Sequence, residues 1–242
     1  MQVSKLRRVP EFFESCAGSV GLDNLIAEFR QIAGEFGFTS SVCGAWAGIG
    51  QQRIHRFFFN DWPNSWLTLY TERNFFDHDP FVMEARRSIV PYQWTRLEPA
   101  RSWSKQAQEI YDTAREYGWK EVVGVPIHGP FGYQGMVTMA TKQSVLLSAY
   151  DLAAIESISR AIHDRCRKEI GFGSNPEDVP KFSAREIECM QWVAAGKTDW
   201  EIAQLLGISS STVHFHIERA KKKLNLSSRT EAVARLTLLG LL

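Results

Sequence analysis

The sequence contains only four cysteines, and none has the spacing of a metal site or a redox motif. Cys16, Cys43, Cys166 and Cys189 lie far apart with no CxxC pair, a pattern typical of reduced and mostly buried thiols. An H-x-x-x-H metal pair is absent as well. We therefore expect no disulfide framework, no metal site and no bound cofactor.

Apolar runs of membrane-spanning length are also missing, and MQVSKLRRVPEFFES at the start lacks the apolar segment of a signal peptide. We therefore expect a cytoplasmic protein with no membrane partner. Catalytic motifs are equally scarce. There is no G-x-S-x-G, and the glycine-rich GPFGYQG leads from one strand into another, unlike a phosphate loop. The sequence thus favours a protein that is not an enzyme.

What is present is the composition of a folded protein in two parts. The 242 residues are 44% hydrophobic and 23% charged, and the net charge of +1 can hide local clusters. The stretch GFGSNPEDVP has the glycine, proline and small polar residues of a linker. We predict a domain at 1–170, a linker at 171–180 and a second domain at 181–242.

The first domain mixes helix and strand patterns. Amphipathic periods predict helices over residues 22–36 and 149–170, and short apolar runs predict four strands. The strands are SSVCGAWA, RIHRFFF, EVVGVPIH and GMVTMAT, of which the last two form a predicted hairpin. Helices that flank an antiparallel sheet predict an α/β/α sandwich, which places the whole chain in the α+β class.

The second domain shows helix patterns alone, and four short helices are predicted. Ser183 and Glu186 have the spacing of a capping box, and Gly196 and Gly207 suit the ends of the first two helices. The second helix, a turn at Ile208 and a third helix that begins with Ser and Thr have the order of a helix-turn-helix.

The third helix separates an inward apolar side from an outward polar side. Val213, Ile217 and Ala220 share the inward period, and residues 212–224 carry four cations against one acid. A basic, polar face of this kind suits the major groove of DNA and its phosphates. The alternative is that the lysines at 221–223 form a solvated helix end that complements the helix dipole.

This domain resembles the DNA-binding domain of LuxR-type regulators. The shared motifs are S-x-R-E at 183–186, W-x-A-x-G-K at 192–197, E-I-A at 201–203 and G-I-S-x-S-T-V-x-F-H at 207–216. The resemblance implies a four-helix module whose third helix enters the major groove of double-stranded DNA, with Ser211, His214 and Glu218 facing bases. The residues expected to contact phosphates are Thr198, Ser210, Thr212, Lys221 and Lys222.

In the first domain, the stretch WPNSWLTLYTERNFFDHDP places Trp62, Trp66 and Tyr70 one helical turn apart on one face. An indole N–H only donates, and an ionised carboxylate only accepts. If this face is buried, Asp79 needs a donor, because an unpaired buried charge is costly. The alternative is ordinary core packing, with Asp79 as a helix cap.

The pattern W-x3-Y-x8-D-P at 66–80, with Trp94 and Gly118, resembles the autoinducer-binding domain of LuxR-type quorum-sensing receptors. The ligand in that family is an N-acyl-homoserine lactone. The resemblance implies that Trp66 donates to the lactone carbonyl, that Tyr70 donates to the amide carbonyl and that Asp79 accepts from the amide N–H. The ligand would thus supply the donor that Asp79 lacks.

The resemblance also implies a ring wall at Trp94 and an acyl-chain contact at Thr138. Two positions depart from the family, since Trp62 stands where many relatives have Tyr and Val122 where Gly is common. Both side chains add bulk, so we expect a short, branched or aryl acyl group. Further expected pocket residues are Ala45, Phe57, Phe59, Val82, Ile110 and Val125.

One helix-turn-helix reads half of a two-fold operator, so we expect a homodimer that regulates quorum-sensing target genes. The predicted helix 149–170 and the leucine-rich end ARLTLLGLL are the expected dimer surfaces, although both could instead be core. A receptor of the same fold for a different small molecule, or a regulator that needs no ligand, remains the alternative function.

Overall fold

The computed structural model describes residues 2–47, 54–97, 103–129, 132–172 and 180–242. These residues fold into two compact units. Most of the predicted linker, residues 173–179, lies outside the described residues, so the domain boundaries stay predictions.

The N-terminal unit is built around one antiparallel sheet of five strands in the order β2-β1-β5-β4-β3. Its strands are β1 (Ser40–Ala47), β2 (Ile54–Asn60), β3 (Tyr92–Gln93), β4 (Glu121–His128) and β5 (Gln134–Thr141). Its helices are α1 (Gln2–Ala17), α2 (Leu22–Glu35), α3 (Asn64–Glu72), α4 (Pro80–Ala85), α5 (Lys105–Glu116) and α6 (Ala149–Ile170). Short 3-10 helices at Phe75–Asp77 and Trp94–Arg96 join these elements.

Strands β1, β4 and β5 bury side chains on both of their faces, because side chains alternate along each strand. On one face, Val123, Val125 and Val137 pack with apolar residues of α1, α2 and α6. On the other face, Val122 and Ala140 pack with aromatic residues of α3 and of the segments around α4 and α5. Helices therefore cover both sides of the sheet, which confirms the predicted α/β/α sandwich and the α+β class.

The predicted hairpin of β4 and β5 is confirmed, with Val123 opposite Met139 and Val125 opposite Val137. The predicted helices over 22–36 and 149–170 are also present as α2 and α6. Helix α1 is absent from the sequence-based prediction, and its interior Pro10 weakens the helix signal. Helix α5 was not predicted from the sequence either. Its N-cap is Ser104, whose side chain accepts a hydrogen bond from the backbone N–H of Ala107.

The C-terminal unit consists of α7 (Ala184–Ala194), α8 (Asp199–Leu206), α9 (Ser210–Lys223) and α10 (Arg229–Leu238). The predicted capping box at Ser183 and Glu186 is present. Gly207 ends α8 at a φ of 64°, a left-handed conformation that favours glycine. Buried residues of all four helices form a single core, which includes Met190, Ile202 and Val213. The four-helix prediction is therefore confirmed.

Among the described ranges, no helix combines the length and the apolarity that crossing a bilayer requires. Within those same ranges, no group of three or more His, Cys, Asp or Glu side chains has the arrangement of a metal site. Cys43, Cys166 and Cys189 are buried free thiols.

Candidate functional site

A cavity lies in the N-terminal unit between the sheet and the helices α3, α4 and α5. Its walls are mostly apolar and aromatic side chains. The volume of the cavity that the centre of a water molecule can occupy is about 70 Å³. One water molecule needs roughly 10–15 Å³ by that measure, so the cavity has room for a small organic molecule. Mostly apolar walls with a few polar groups among them are typical of a small-molecule site.

All six sequence-predicted ligand residues line this cavity: Trp62, Trp66, Tyr70, Asp79, Trp94 and Thr138. They come from four separate segments of the chain. Helix α3 supplies Trp66 and Tyr70, and β5 supplies Thr138. Trp62 lies two positions before α3, Asp79 directly precedes α4, and Trp94 begins a 3-10 helix. The fold therefore brings together side chains that are up to 76 positions apart, from Trp62 to Thr138.

Four of the six further pocket residues also line the cavity, namely Ala45, Phe57, Val82 and Ile110. The predictions for Phe59 and Val125 are wrong. Both side chains belong to the core on the opposite face of the sheet, and Phe59 packs there against Phe29 with ring centroids 5.8 Å apart and an interplanar angle of 59°. On β4 the cavity face is Val122, so Val125, an odd number of positions away, must point to the other side.

The expectation that Asp79 lacks a donor is also wrong. Its carboxylate accepts a hydrogen bond from the Tyr70 hydroxyl at 2.7 Å and one from the backbone N–H of Phe81 at 2.8 Å. Asp79 is the N-cap of α4, which begins with Pro80. The helix-cap role that the sequence left open for Asp79 is therefore confirmed.

Burial raises the pKa of Asp79, while hydrogen bonds from Tyr70 and from the backbone of Phe81 and Val82 oppose that rise. Burial also raises the pKa of Tyr70, and the negative charge of Asp79 adds to the effect. Tyr70 therefore stays protonated and donates its single hydroxyl hydrogen to Asp79. The Tyr70 hydroxyl hydrogen, which we expected to bind the amide carbonyl of the ligand, is therefore already donated to Asp79.

Among the described residues that line the cavity, the buried polar atoms without a hydrogen-bond partner are two indole donors. The Nε1 atoms of Trp62 and Trp66 are both buried, and neither has a hydrogen-bond partner among the described residues. Their rings meet edge to face at a centroid distance of 6.2 Å. A buried N–H without an acceptor is costly, so this part of the cavity requires acceptor atoms. What the site lacks is an acceptor rather than a donor.

Aromatic rings complete the walls of the cavity. Trp94 stacks on Tyr111 at 4.5 Å with an interplanar angle of 5°. Trp119 meets Trp66 at 5.1 Å and Trp62 at 5.8 Å. Trp119 was not among the predicted pocket residues, although it directly follows Gly118 of the autoinducer-binding pattern. Exposed residues of β2, including His55 and Phe57, also line the cavity.

In the C-terminal unit, the exposed side of α9 carries Ser211, His214, Phe215, Glu218, Arg219 and Lys222. Four of these are sequence-predicted DNA contacts, and Phe215 and Arg219 were not assigned to one. Phe215 is 54% exposed, and the Arg219 guanidinium lies 5.5 Å from the centre of its ring. A large apolar side chain that is exposed beside a cation suits an interface better than a solvated surface.

The hydroxyls at the helix starts are bonded locally. Thr198 caps α8 in a capping box with Glu201. Ser209, which the sequence analysis left unassigned, caps α9 and contacts the hydroxyls of Ser211 and Thr212 at 2.8 and 2.7 Å. Ser210 is the first residue of α9.

The three lysines at the end of α9 differ in their surroundings. Lys221 pairs with Glu218 at 2.6 Å, whereas Lys222 is exposed and has no ion-pair partner among the described side chains. Lys223 contacts the buried Glu186 at 2.5 Å, and Arg219 approaches the same carboxylate at 3.4 Å. Burial acts to raise the pKa of Glu186, but Lys223 and the Ser183 backbone lower it overall. Lys223 is therefore a structural ion-pair residue.

Two known families match the sequence. Residues 21–166 match the autoinducer binding domain, and residues 180–236 match the bacterial regulatory proteins of the luxR family. The first match contains every cavity residue discussed above, and the second contains α7, α8 and α9.

Similar proteins are transcriptional regulators. The HTH-type quorum sensing-dependent transcriptional regulator RpaR of Rhodopseudomonas palustris is 31% identical over 238 residues, 98% of this chain and 95% of the relative. The transcriptional activator protein LuxR of Aliivibrio fischeri is 28% identical over 186 residues, 75% of this chain and 73% of the relative.

Solved structures share the fold. SdiA in complex with octanoyl-rac-glycerol superposes with a TM-score of 0.68 at 20% identity, over 97% of this chain and 95% of that one. CepR2 from Burkholderia cenocepacia has a TM-score of 0.57 at 16% identity, over 69% of this chain and 99% of that one.

Proposed function

The chain belongs to the LuxR family of autoinducer-binding transcriptional regulators, and from that membership we propose that its cavity binds an N-acyl-homoserine lactone. The protein is a quorum-sensing DNA-binding regulator and not an enzyme. The identity of its ligand as an acyl-homoserine lactone is our proposal. We also place the protein in the cytoplasm, where a DNA-binding domain reaches its target.

The ligand proposal rests on one observation: the same cavity contains unpartnered N–H donors and an acceptor that is held in a fixed position. Trp66 has a buried indole N–H with no acceptor among the described residues, and Asp79 has an aligned carboxylate with lone pairs to spare. An acyl-homoserine lactone has carbonyl oxygens that can accept from the Trp66 indole and an amide N–H that can donate to the Asp79 carboxylate. Trp94 and Thr138 line the same space and would contact the lactone ring and the acyl chain.

Thermal unfolding tests this proposal. A ligand that binds only the folded state at a hundredfold excess over Kd adds about 2.7 kcal/mol of stability. We expect butanoyl-, 3-methylbutanoyl-, hexanoyl- or cinnamoyl-homoserine lactone to raise the melting temperature, and the ring-opened homoserines to raise it far less. If none of the lactones changes the melting temperature, the proposal fails and a different small molecule becomes the candidate.

The acyl group we propose is short, branched or aryl. The two positions that depart from the family, Trp62 and Val122, both line the cavity, and Val122 is only 6% exposed. Their bulk reduces the space for a long straight chain. Competition between the short and branched lactones and a dodecanoyl-homoserine lactone tests this proposal, which fails if the dodecanoyl compound binds most tightly.

DNA recognition is assigned to the exposed side of α9. Ser211, His214 and Glu218 are proposed to face bases, and Thr198, Ser210, Thr212, Lys221 and Lys222 to lie near phosphates. The support is the exposure of this side together with the family match over residues 180–236. Of the phosphate set, Lys222 is the most accessible cation, whereas Lys221 is engaged by Glu218.

A homodimer on a two-fold operator is proposed as the DNA-binding form. One helix-turn-helix contacts half a site, and two-fold symmetry doubles the contact. The candidate surfaces are the outward side of α6, where Tyr150 is 77% exposed, and the end of the chain after α10. Sedimentation with and without ligand and operator DNA tests the dimer, and a monomer under all conditions contradicts it.

A further inference from the structure

Strand β3 pairs with β4 over only two residues, and the chain then turns into the 3-10 helix that begins with Trp94. The last pair of this ladder joins Gln93 to Val123. A longer antiparallel ladder would have placed Thr95 opposite Glu121, but the ladder ends one residue before Trp94. The position of Trp94, which lines the cavity, therefore depends on contacts other than strand pairing.

The Glu121 side chain joins the two segments where the ladder ends. Glu121 is only 4% exposed, and its Oε2 accepts hydrogen bonds from the Thr95 hydroxyl at 2.8 Å and from the Gln93 amide at 3.3 Å. Its Oε1 accepts from the backbone N–H of Val122 at 3.0 Å, and the backbone N–H of Thr95 lies 3.5 Å away. A carboxylate accepts from several donors at once, and the loss of a donor from a buried carboxylate is costly. One side chain thus ties the segment around Trp94 to β4.

Gln93 and Thr95 are the two neighbours of Trp94 in the chain. Because Glu121 holds both of them, the backbone of Trp94 is fixed from either side while its indole lines the cavity. That indole lies flat on Tyr111, with ring centroids 4.5 Å apart and an interplanar angle of 5°. Glu121 is not one of the residues that line the cavity, so it can act on a ligand only through the residues it holds.

We propose that Glu121 is a positioning residue, which sets the ring wall of the cavity by holding Trp94 in place. The inference rests on the proposed function, in which Trp94 contacts the lactone ring. A wall that is already ordered costs a ligand no free energy of ordering, so loss of the Glu121 contacts lowers ligand affinity.

Two nearly isosteric substitutions test the positioning. Glu121→Gln replaces one acceptor oxygen with an amide donor, and Thr95→Val removes the hydroxyl that donates to Glu121. The probe is whichever of the lactones named above raises the melting temperature most. Each substitution should lower its affinity about three- to tenfold, on the order of one hydrogen bond.

A double-mutant cycle shows whether these losses pass through Trp94. In a Trp94→Leu background, which lacks the ring, Glu121→Gln and Thr95→Val should each cost less than about 1.5-fold in affinity, because both act through the missing side chain. Losses of the same size with and without the Trp94 ring overturn the proposal.

Val125→Ala is the matched control for lost stability. It truncates a buried residue of the same strand on the face away from the cavity, so it should lower the melting temperature and leave the lactone affinity unchanged. If Val125→Ala weakens the lactone as much as Glu121→Gln does, affinity merely follows stability, and the proposal is overturned.

A measurement without ligand separates this inference from the proposed function. In protein labelled with 5-fluorotryptophan, the resonance that Trp94→Leu removes belongs to Trp94, and its shift reports the stacking on Tyr111. Glu121→Gln and Thr95→Val should move or broaden this resonance, and Val125→Ala should leave it in place. An unchanged Trp94 resonance in the first two variants overturns the proposal. If no homoserine lactone binds the wild-type protein, the proposed function fails, and this resonance alone decides whether Glu121 positions Trp94.

Discussion

The Tyr70 hydroxyl lies 2.7 Å from Oδ2 of Asp79 and donates to it, in a cavity where both side chains are buried. The same carboxylate caps α4 through its other oxygen, Oδ1. Asp79 is thus held in position by two donors, and it keeps lone pairs for a third. A ligand that donates to it loses no binding free energy in ordering the carboxylate, which is the advantage of preorganisation.

Replacing Asp79 with Asn should separate folding from ligand binding. Asn is as good an N-cap as Asp, so the unfolding free energy of the ligand-free protein should change by less than about 1 kcal/mol. The ligand N–H would lose a charged acceptor, and the rise in melting temperature with an acyl-homoserine lactone should vanish. Asp79→Ala is the control, because it also loses the cap and should cost about 1 kcal/mol more. A rise of wild-type size in Asp79→Asn contradicts the assignment.

The raised pKa of Asp79 predicts a pH effect on the ligand-free protein. The folded state holds the Asp79 proton more tightly than the unfolded chain, whose carboxyl has the ordinary pKa of 3.8. This contribution to stability is complete below 3.8 and is lost as pH rises through the raised pKa. The difference in unfolding free energy between wild type and Asp79→Asn should therefore fall over that window and then level off. Denaturant titrations across the window measure it, and a difference that grows with pH contradicts the prediction.

Two valines on β4 should respond differently to truncation. Val125→Ala removes core volume on the face away from the cavity, so it should destabilise the fold by about 2 kcal/mol without changing the order of ligand affinities. Val122→Ala enlarges the cavity and should shift preference toward longer acyl chains. Melting curves and competition across a series of acyl lengths measure both effects. A changed ligand order in Val125→Ala, or none in Val122→Ala, would show that the cavity is assigned to the wrong face.

Lys222 and Lys223 provide a matched pair on α9. Lys222→Ala should weaken binding to every DNA sequence and reduce the slope of log K against log salt by about one. Lys223→Ala breaks the ion pair with buried Glu186, so it should lower the stability of the C-terminal unit by about 1–3 kcal/mol. Salt-titrated mobility shifts and thermal unfolding measure the two effects. An unchanged slope in Lys222→Ala would remove that residue from the phosphate set.

Local signals in the sequence predicted much of the fold. The capping box at Ser183 depends only on residues three apart, and Gly207 ends α8 for reasons of backbone conformation. Two short apolar runs joined by the turn-rich GPFGYQ likewise identified the hairpin of β4 and β5. These features need no knowledge of distant parts of the chain.

Features that depend on long-range packing were less predictable. Alternation along a strand defines two faces but not which face borders the cavity, so Val125 was assigned to the wrong one. Asp79 was expected to lack a donor, because the sequence does not show that a residue nine positions earlier points its hydroxyl at it. Lys223 could not be told from Lys222, since its partner Glu186 is 37 residues away.

Calorimetric titration of a short-chain acyl-homoserine lactone into the wild-type protein and Trp66→Phe tests the central claim most directly. The account predicts one ligand bound per chain in the wild type. It also predicts an affinity about tenfold or more lower in Trp66→Phe, because the substitution removes the indole N–H and leaves the lactone carbonyl without its donor. Equal affinities in the two proteins, or no binding by a folded wild type, would contradict it.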